Sequence, residues 1–206
     1  NPNIWTATRL AVDAGLTVVS AAGNSGMDLD EQWFQDNYLS MGDSGAIIVG
    51  SGEPDVFHGY YCCSNPPVGN NYGSRVDLQG WGEEVFSLGF GSFSQYDGDY
   101  HRTYIDNFTE TSAASPVVAG AAVLVQDWVV QNFGVPLDGE GLRDLLRETG
   151  LPQSDLDGLP AADFNIGPLP NVRAAYEYLA TFDSDNDGSI DVVYGGEDCN
   201  DDDASF

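Results

Sequence analysis

Residues 113–133 are rich in alanine, valine, leucine and aromatic side chains, and their most apolar run, Val117 to Val130, is interrupted by Gln126 and Asp127. In a folded soluble chain, a stretch of that length and composition is a core helix and needs a sheet and other helices around it. Gly134 and Pro136 supply the stop signals expected after its last turn. Its most apolar part, Val117 to Val130, reads as too short to span a bilayer. The helix is preceded by Thr111-Ser112-Ala113-Ala114-Ser115-Pro116, which puts a serine at the mouth of the helix and a proline in its first turn. The first N–H groups of a helix have no partner within it, and the local dipole favours negative charge. A hydroxyl there is placed to attack a carbonyl, with neighbouring N–H groups to hold the oxyanion. It is equally placed to serve as a simple N-cap.

The remaining segments alternate between strand and helix patterns. Ile4 to Ala14 reads as a helix ended by Gly15, and Leu16 to Ala21 as a strand buried on both faces. Gly45 to Gly50 is a second buried strand. Shorter strands are expected at Arg75 to Gln79 and Glu84 to Leu88, separated by Gly80-Trp81-Gly82. Gly139 to Thr149 and Asn171 to Ala180 read as amphipathic surface helices. This order predicts an α/β class with a parallel sheet.

Composition narrows the partners. The net charge is −27, all six basic residues are arginines, and lysine is absent. Such a surface repels nucleic acid and anionic membranes, so neither is an expected partner. It suits an extracellular protein, a calcium binder or a salt-adapted organism. Among the three cysteines, Cys62 and Cys63 are adjacent and would pair with each other only in a strained ring. His58 with Cys62 and Cys63 lacks a second ligand pair at finger-like spacing, so a surface loop with a disulfide to a more distant cysteine is expected rather than a zinc site.

A second motif decides how the serine is read. Ala14-Gly15-Leu16-Thr17-Val18-Val19-Ser20-Ala21-Ala22-Gly23-Asn24 is a helix stop, a buried strand and a polar turn. It places an asparagine just past a strand end, where open α/β sheets carry functional groups. Together the two motifs resemble the subtilisin family of serine peptidases. Asn71-Tyr72-Gly73-Ser74-Arg75-Val76-Asp77 and Ile166-Gly167-Pro168-Leu169-Pro170-Asn171 extend the resemblance over about residues 1 to 180. It implies a three-layer α/β/α fold, incomplete at its N-terminus, and an activity on protein or peptide substrates outside the cell. It also implies that Ser112 is the nucleophile, that the Asn24 side chain donates to the oxyanion, and that Ala21, Ala22 and Gly23 wall the primary specificity pocket. The family's aspartate and histidine precede this asparagine, so they are expected in an N-terminal part of the same domain lying before residue 1. His58 and His101 stand in the wrong order to replace that histidine. The family has glycine two residues before the nucleophile, where this chain has Glu110. Two outcomes stay open: Glu110 points to solvent and activity survives, or it impairs a fold that then serves as a binding module.

Residues 182–206 differ in kind and form a separate expected unit after 1–181. They hold nine acidic residues and no basic one. Asp183, Asp185, Asp187, Ser189 and Asp191, with Gly188 at the turn, have the spacing of a calcium loop. Tyr194 stands where an EF-hand has its bidentate glutamate, so the segment looks more like a secreted aspartate-rich calcium repeat, with calcium as the expected cofactor.

Overall fold

The computed structural model describes residues 2–37, 39–53, 62–65, 68–89, 94–99, 101–155 and 160–182. Its helices are α1 (Pro2–Asp13), α2 (Gln32–Asn37), α3 (Thr111–Phe133), α4 (Gly139–Glu148) and α5 (Val172–Leu179). Its strands are β1 (Val19–Ala21), β2 (Ile47–Gly52), β3 (Cys62–Asn65), β4 (Val68–Gly69), β5 (Leu78–Trp81), β6 (Val85–Leu88), β7 (Ser94–Gln95) and β8 (Thr103–Phe108). His58, Cys199 and the calcium-loop residues Asp183, Asp185, Asp187, Ser189 and Asp191 lie outside the described residues.

The centre is a parallel sheet in the order β1-β2-β5. Val19 faces Ile47 and Ala21 faces Val49, while Val49 faces Leu78 and Ser51 faces Gly80. Because side chains alternate across a strand, Ile47, Val49 and Leu78 point to one face and Ile48 to the other. The first face packs on α3 through Ala114, Val118, Ala122, Val125 and Val129. That spacing of three and four is one stripe of a helix. Leu142, Leu145 and Leu146 of α4, with Ala175 and Leu179 of α5, close the same core. On the second face Trp5 of α1 and Phe34 of α2 line one cavity with Ile48 and Ala22, so helices flank the sheet on both sides.

Polar anchors hold the sheet's entry end. Asp77 is buried, accepts the Ile48 N–H at 2.7 Å and pairs with Arg75 at 2.6 Å. Arg75 also reaches Asp43, which Arg143 meets at 2.6 Å. Burial acts to raise the Asp43 carboxyl, but the Gly45 N–H, Arg75 and Arg143 together outweigh it and hold it below the ordinary carboxylate range.

The structure departs from the sequence reading in several places. β1 is three residues long and at the edge of the described sheet, with Ser20 and Ala21 exposed rather than buried on both faces. An edge strand has a neighbour on one side only, so its outer groups meet solvent. On α3, Val123 is 67% and Val130 44% exposed, although the composition predicts burial all round. A second, antiparallel sheet in the order β6-β8-β7 includes β8, which the hydrophobic pattern does not single out. Helix α3 begins at Thr111, two residues before the predicted start, which moves Pro116 into the second turn.

Candidate active site

The loop after β1 is built by an asparagine far away in sequence. Asn71 donates through Nδ2 to the Ala22 carbonyl at 2.8 Å, and its Oδ1 accepts the N–H groups of Ser25 and Met27. Its own N–H donates to the Gly23 carbonyl at 2.8 Å. Gly23 has φ +97°, and a Cβ there would lie 2.7 Å from the Asn71 amide nitrogen. Only glycine meets both conditions without strain. Asn71 therefore clamps both sides of Asn24 and leaves its side chain projecting from the turn.

That side chain reaches the start of α3. Asn24 Oδ1 accepts the Thr111 N–H at 3.2 Å and the Thr111 hydroxyl at 2.6 Å. It thus caps a helix 87 residues further along the chain. This cap accounts for the early helix start, because it satisfies an N–H that would otherwise lack a partner. The Glu110 carbonyl accepts the N–H groups of Ala113 and Ala114. Among the described residues, the Ser112 N–H and Oγ have no hydrogen-bond partner, and Ser112 is exposed. The serine thus presents a hydroxyl and an uncommitted N–H to solvent at the positive end of a long helix. Ser115 bonds back to the Thr111 carbonyl at 2.7 Å, which steadies the first turn.

Glycines set how near α3 can come to the sheet. A Cβ on Gly80 would lie 2.5 Å from the Ala114 carbonyl oxygen, and one on Gly82 would overlap the Ser51 side chain. Gly80 and Trp81 lie within β5 rather than in the expected break between strands, and Gly80 and Gly82 let the start of α3 sit directly against it.

Glu110 adopts φ 69° and ψ −169°, a region that is essentially the preserve of glycine. Its carboxylate does not cap α3. Instead, Oε2 accepts the Asn24 Nδ2 hydrogen at 2.8 Å. Of the two outcomes that the sequence leaves open, the carboxylate is turned to the asparagine rather than freely to solvent.

The described part of the structure gathers Asn24, Glu110, Thr111 and Ser112 into one cluster. Ala21 and Ala22 line a cavity of about 480 Å³ with Met27 and Leu29, whereas Gly23 does not line it. His101 is exposed and precedes β8, whereas Ser112 follows it. A six-residue strand is roughly 20 Å long, so this histidine is remote from the serine. No group of three or more metal-ligating side chains occurs among the described residues. The sequence motifs contain both Asn71 and Thr111, but the bracing role of the one and the orienting role of the other emerge only from the long-range hydrogen bonds.

Comparison with known proteins agrees with this fold. The subtilase family model matches residues 2–167. Among solved structures, the patellamide maturation protease PatA superposes with a TM-score of 0.60 at 22% identity, covering 86% of this chain and 56% of that one. A lanthipeptide protease gives 0.59 at 20% identity, covering 85% and 54%. The PatG macrocyclase in complex with peptide gives 0.56 at 23% identity, covering 85% and 47%. At such identities the likeness is one of fold, and the chain spans about half the length of these structures. No curated protein matches the chain.

Proposed function

The chain belongs to the subtilase family of serine peptidases, and from that premise we propose that it carries the nucleophile and oxyanion half of a serine endopeptidase centre. Ser112 Oγ attacks the scissile carbonyl of a peptide or protein substrate. The uncommitted Ser112 N–H and the Asn24 amide receive the negative charge that develops on the carbonyl oxygen. The Thr111 hydroxyl, bonded to Asn24 Oδ1, fixes the orientation of the amide, whose Nδ2 points to the Glu110 carboxylate in this structure. Ala21 and Ala22 contribute to the wall of the pocket for the residue before the scissile bond. The observation that carries the reading is the meeting of Asn24 with Thr111, next to an exposed serine whose own N–H is unspent.

A serine needs a base and an orienting acid. We assign both to an upstream part of the same domain in the full-length protein. Two features support that assignment: β1 is an open edge, and a groove of about 410 Å³ between β1 and α3 is lined by Thr17, Val19, Val123 and Val130. The relatives of known structure are about one and a half times as long as the chain. Residues 182–206 are proposed to hold calcium on their carboxylate spacing alone.

A second reading has one observation behind it. The engagement of Asn24 by Glu110 fits a fold that holds peptides without cutting them. Labelling the full-length protein with a fluorophosphonate separates the two readings. The peptidase reading expects a covalent adduct on Ser112 that disappears in Ser112→Ala. An unmodified Ser112 would leave the binding module.

A further inference from the structure

Resting on the peptidase reading, we infer that Glu110 is a specificity-determining residue that selects substrates carrying a cationic side chain beside the scissile bond. The Glu110 carboxylate lies 2.8 Å from the Asn24 amide nitrogen, the donor assigned to the oxyanion. Asn24 is its one hydrogen-bond partner among the described residues, and no arginine pairs with it. The residue is partly exposed and its bond to Asn24 is exposed, so the carboxylate is open to an incoming cationic group. Its backbone is held at φ 69° by the Glu110 N–H to the Gly82 carbonyl and by the two helix N–H groups on its own carbonyl. The carboxylate thus stands at the assigned oxyanion donor without an arginine partner among the described residues, on a backbone that costs energy to hold.

A neutral substrate meets this anion directly. The oxyanion forming on its carbonyl must share the Asn24 amide with a carboxylate already bound there, and like charges at such range oppose each other. An arginine or lysine side chain flanking the scissile bond changes both terms. It forms a charge-assisted pair with the carboxylate and draws it off the amide. Asn24 is then released when the correct substrate is present, which links recognition to the chemical step. The acidic chain also attracts cationic peptides over longer range.

The test uses the full-length protein and two fluorogenic peptides, identical except that arginine in one is replaced by norleucine in the other next to the scissile bond. The wild type is expected to favour the arginine peptide in kcat/KM by about tenfold or more, the scale of one favourable charge pair. In Glu110→Gln and Glu110→Gly the preference should fall to about twofold or less, with the norleucine peptide cleaved faster than by wild type. Glu110→Gln keeps the length and an acceptor for Asn24, so it decides the matter if the glycine variant does not fold. An unchanged arginine-to-norleucine ratio in Glu110→Gln, with Ser112 still labelled by fluorophosphonate, overturns this inference alone. Absence of the adduct from every variant overturns the peptidase reading and this inference with it.

Discussion

The turns at Gly23 and Glu110 converge on Asn24 and solve the same backbone problem in opposite ways. Both need a positive φ, +97° at Gly23 and +69° at Glu110. At Gly23 the missing side chain leaves room for the Asn71 amide, which ties the turn down from behind. At Glu110 a side chain is retained in a conformation that disfavours one, and its carboxylate reaches the front of the same asparagine. One turn is relaxed and braces the candidate oxyanion donor. The other is strained and occupies it. Strain kept at such a position is itself a pointer to function.

Four experiments on the full-length protein probe this contrast. The largest effect is expected from Asn24→Ala, which removes the shared partner of both turns. Its kcat should fall by about a hundred- to a thousandfold, the scale known for one oxyanion donor in subtilisin itself. A loss below about tenfold would show that Glu110 already denies the amide to the substrate. Asn71→Ala should lower kcat by up to about a hundredfold, because the Asn24 loop loses its rear clamp and the donor drifts. If only thermal stability changed, the clamp would be structural and not positional.

Gly23→Ala should destabilise the protein by about 2 kcal/mol, since a Cβ would strain the backbone and press on the Asn71 amide. Equilibrium denaturation measures this. Glu110→Gly should do the reverse and stabilise the protein by about 1 kcal/mol, as relief of strain outweighs the added chain entropy of glycine. A wild type that proved more stable than Glu110→Gly would show that the Asn24 bond outweighs the strain, and the contrast between the turns would weaken.

Much of this was legible from the chain alone, for local reasons. The composition of 113–133 and its Gly134 stop identify α3, and Gly134 indeed takes the left-handed conformation at φ 78°. Asp138 and Asn171 cap α4 and α5 near the predicted starts. The buried strand at Gly45 to Gly50 corresponds to β2, displaced by two residues at each end. In the antiparallel sheet, β6 was legible as Glu84 to Leu88, but its central strand β8 was not, because Thr-Tyr-Ile-Asp-Asn-Phe mixes polar and apolar residues without a single buried face. The exposure of β1 and of the outer side of α3 was not legible either, since composition records what a segment can bury and not what covers it.

By itself the sequence determined the strands of the parallel sheet and the helices α1, α3, α4 and α5 to within a few residues, the class of fold, and the two motifs that nominate Ser112 and Asn24. Each depends on contacts within a few residues, through helical spacing, alternation and turn chemistry. Only the tertiary structure decided that Asn24 caps α3 across 87 residues, that Asn71 braces its loop, and that Glu110 turns inward to its amide. Those are long-range hydrogen bonds between groups that nothing in the local sequence marks as partners. Their geometry exists only once the sheet and α3 have packed, with Gly80 and Gly82 letting them approach.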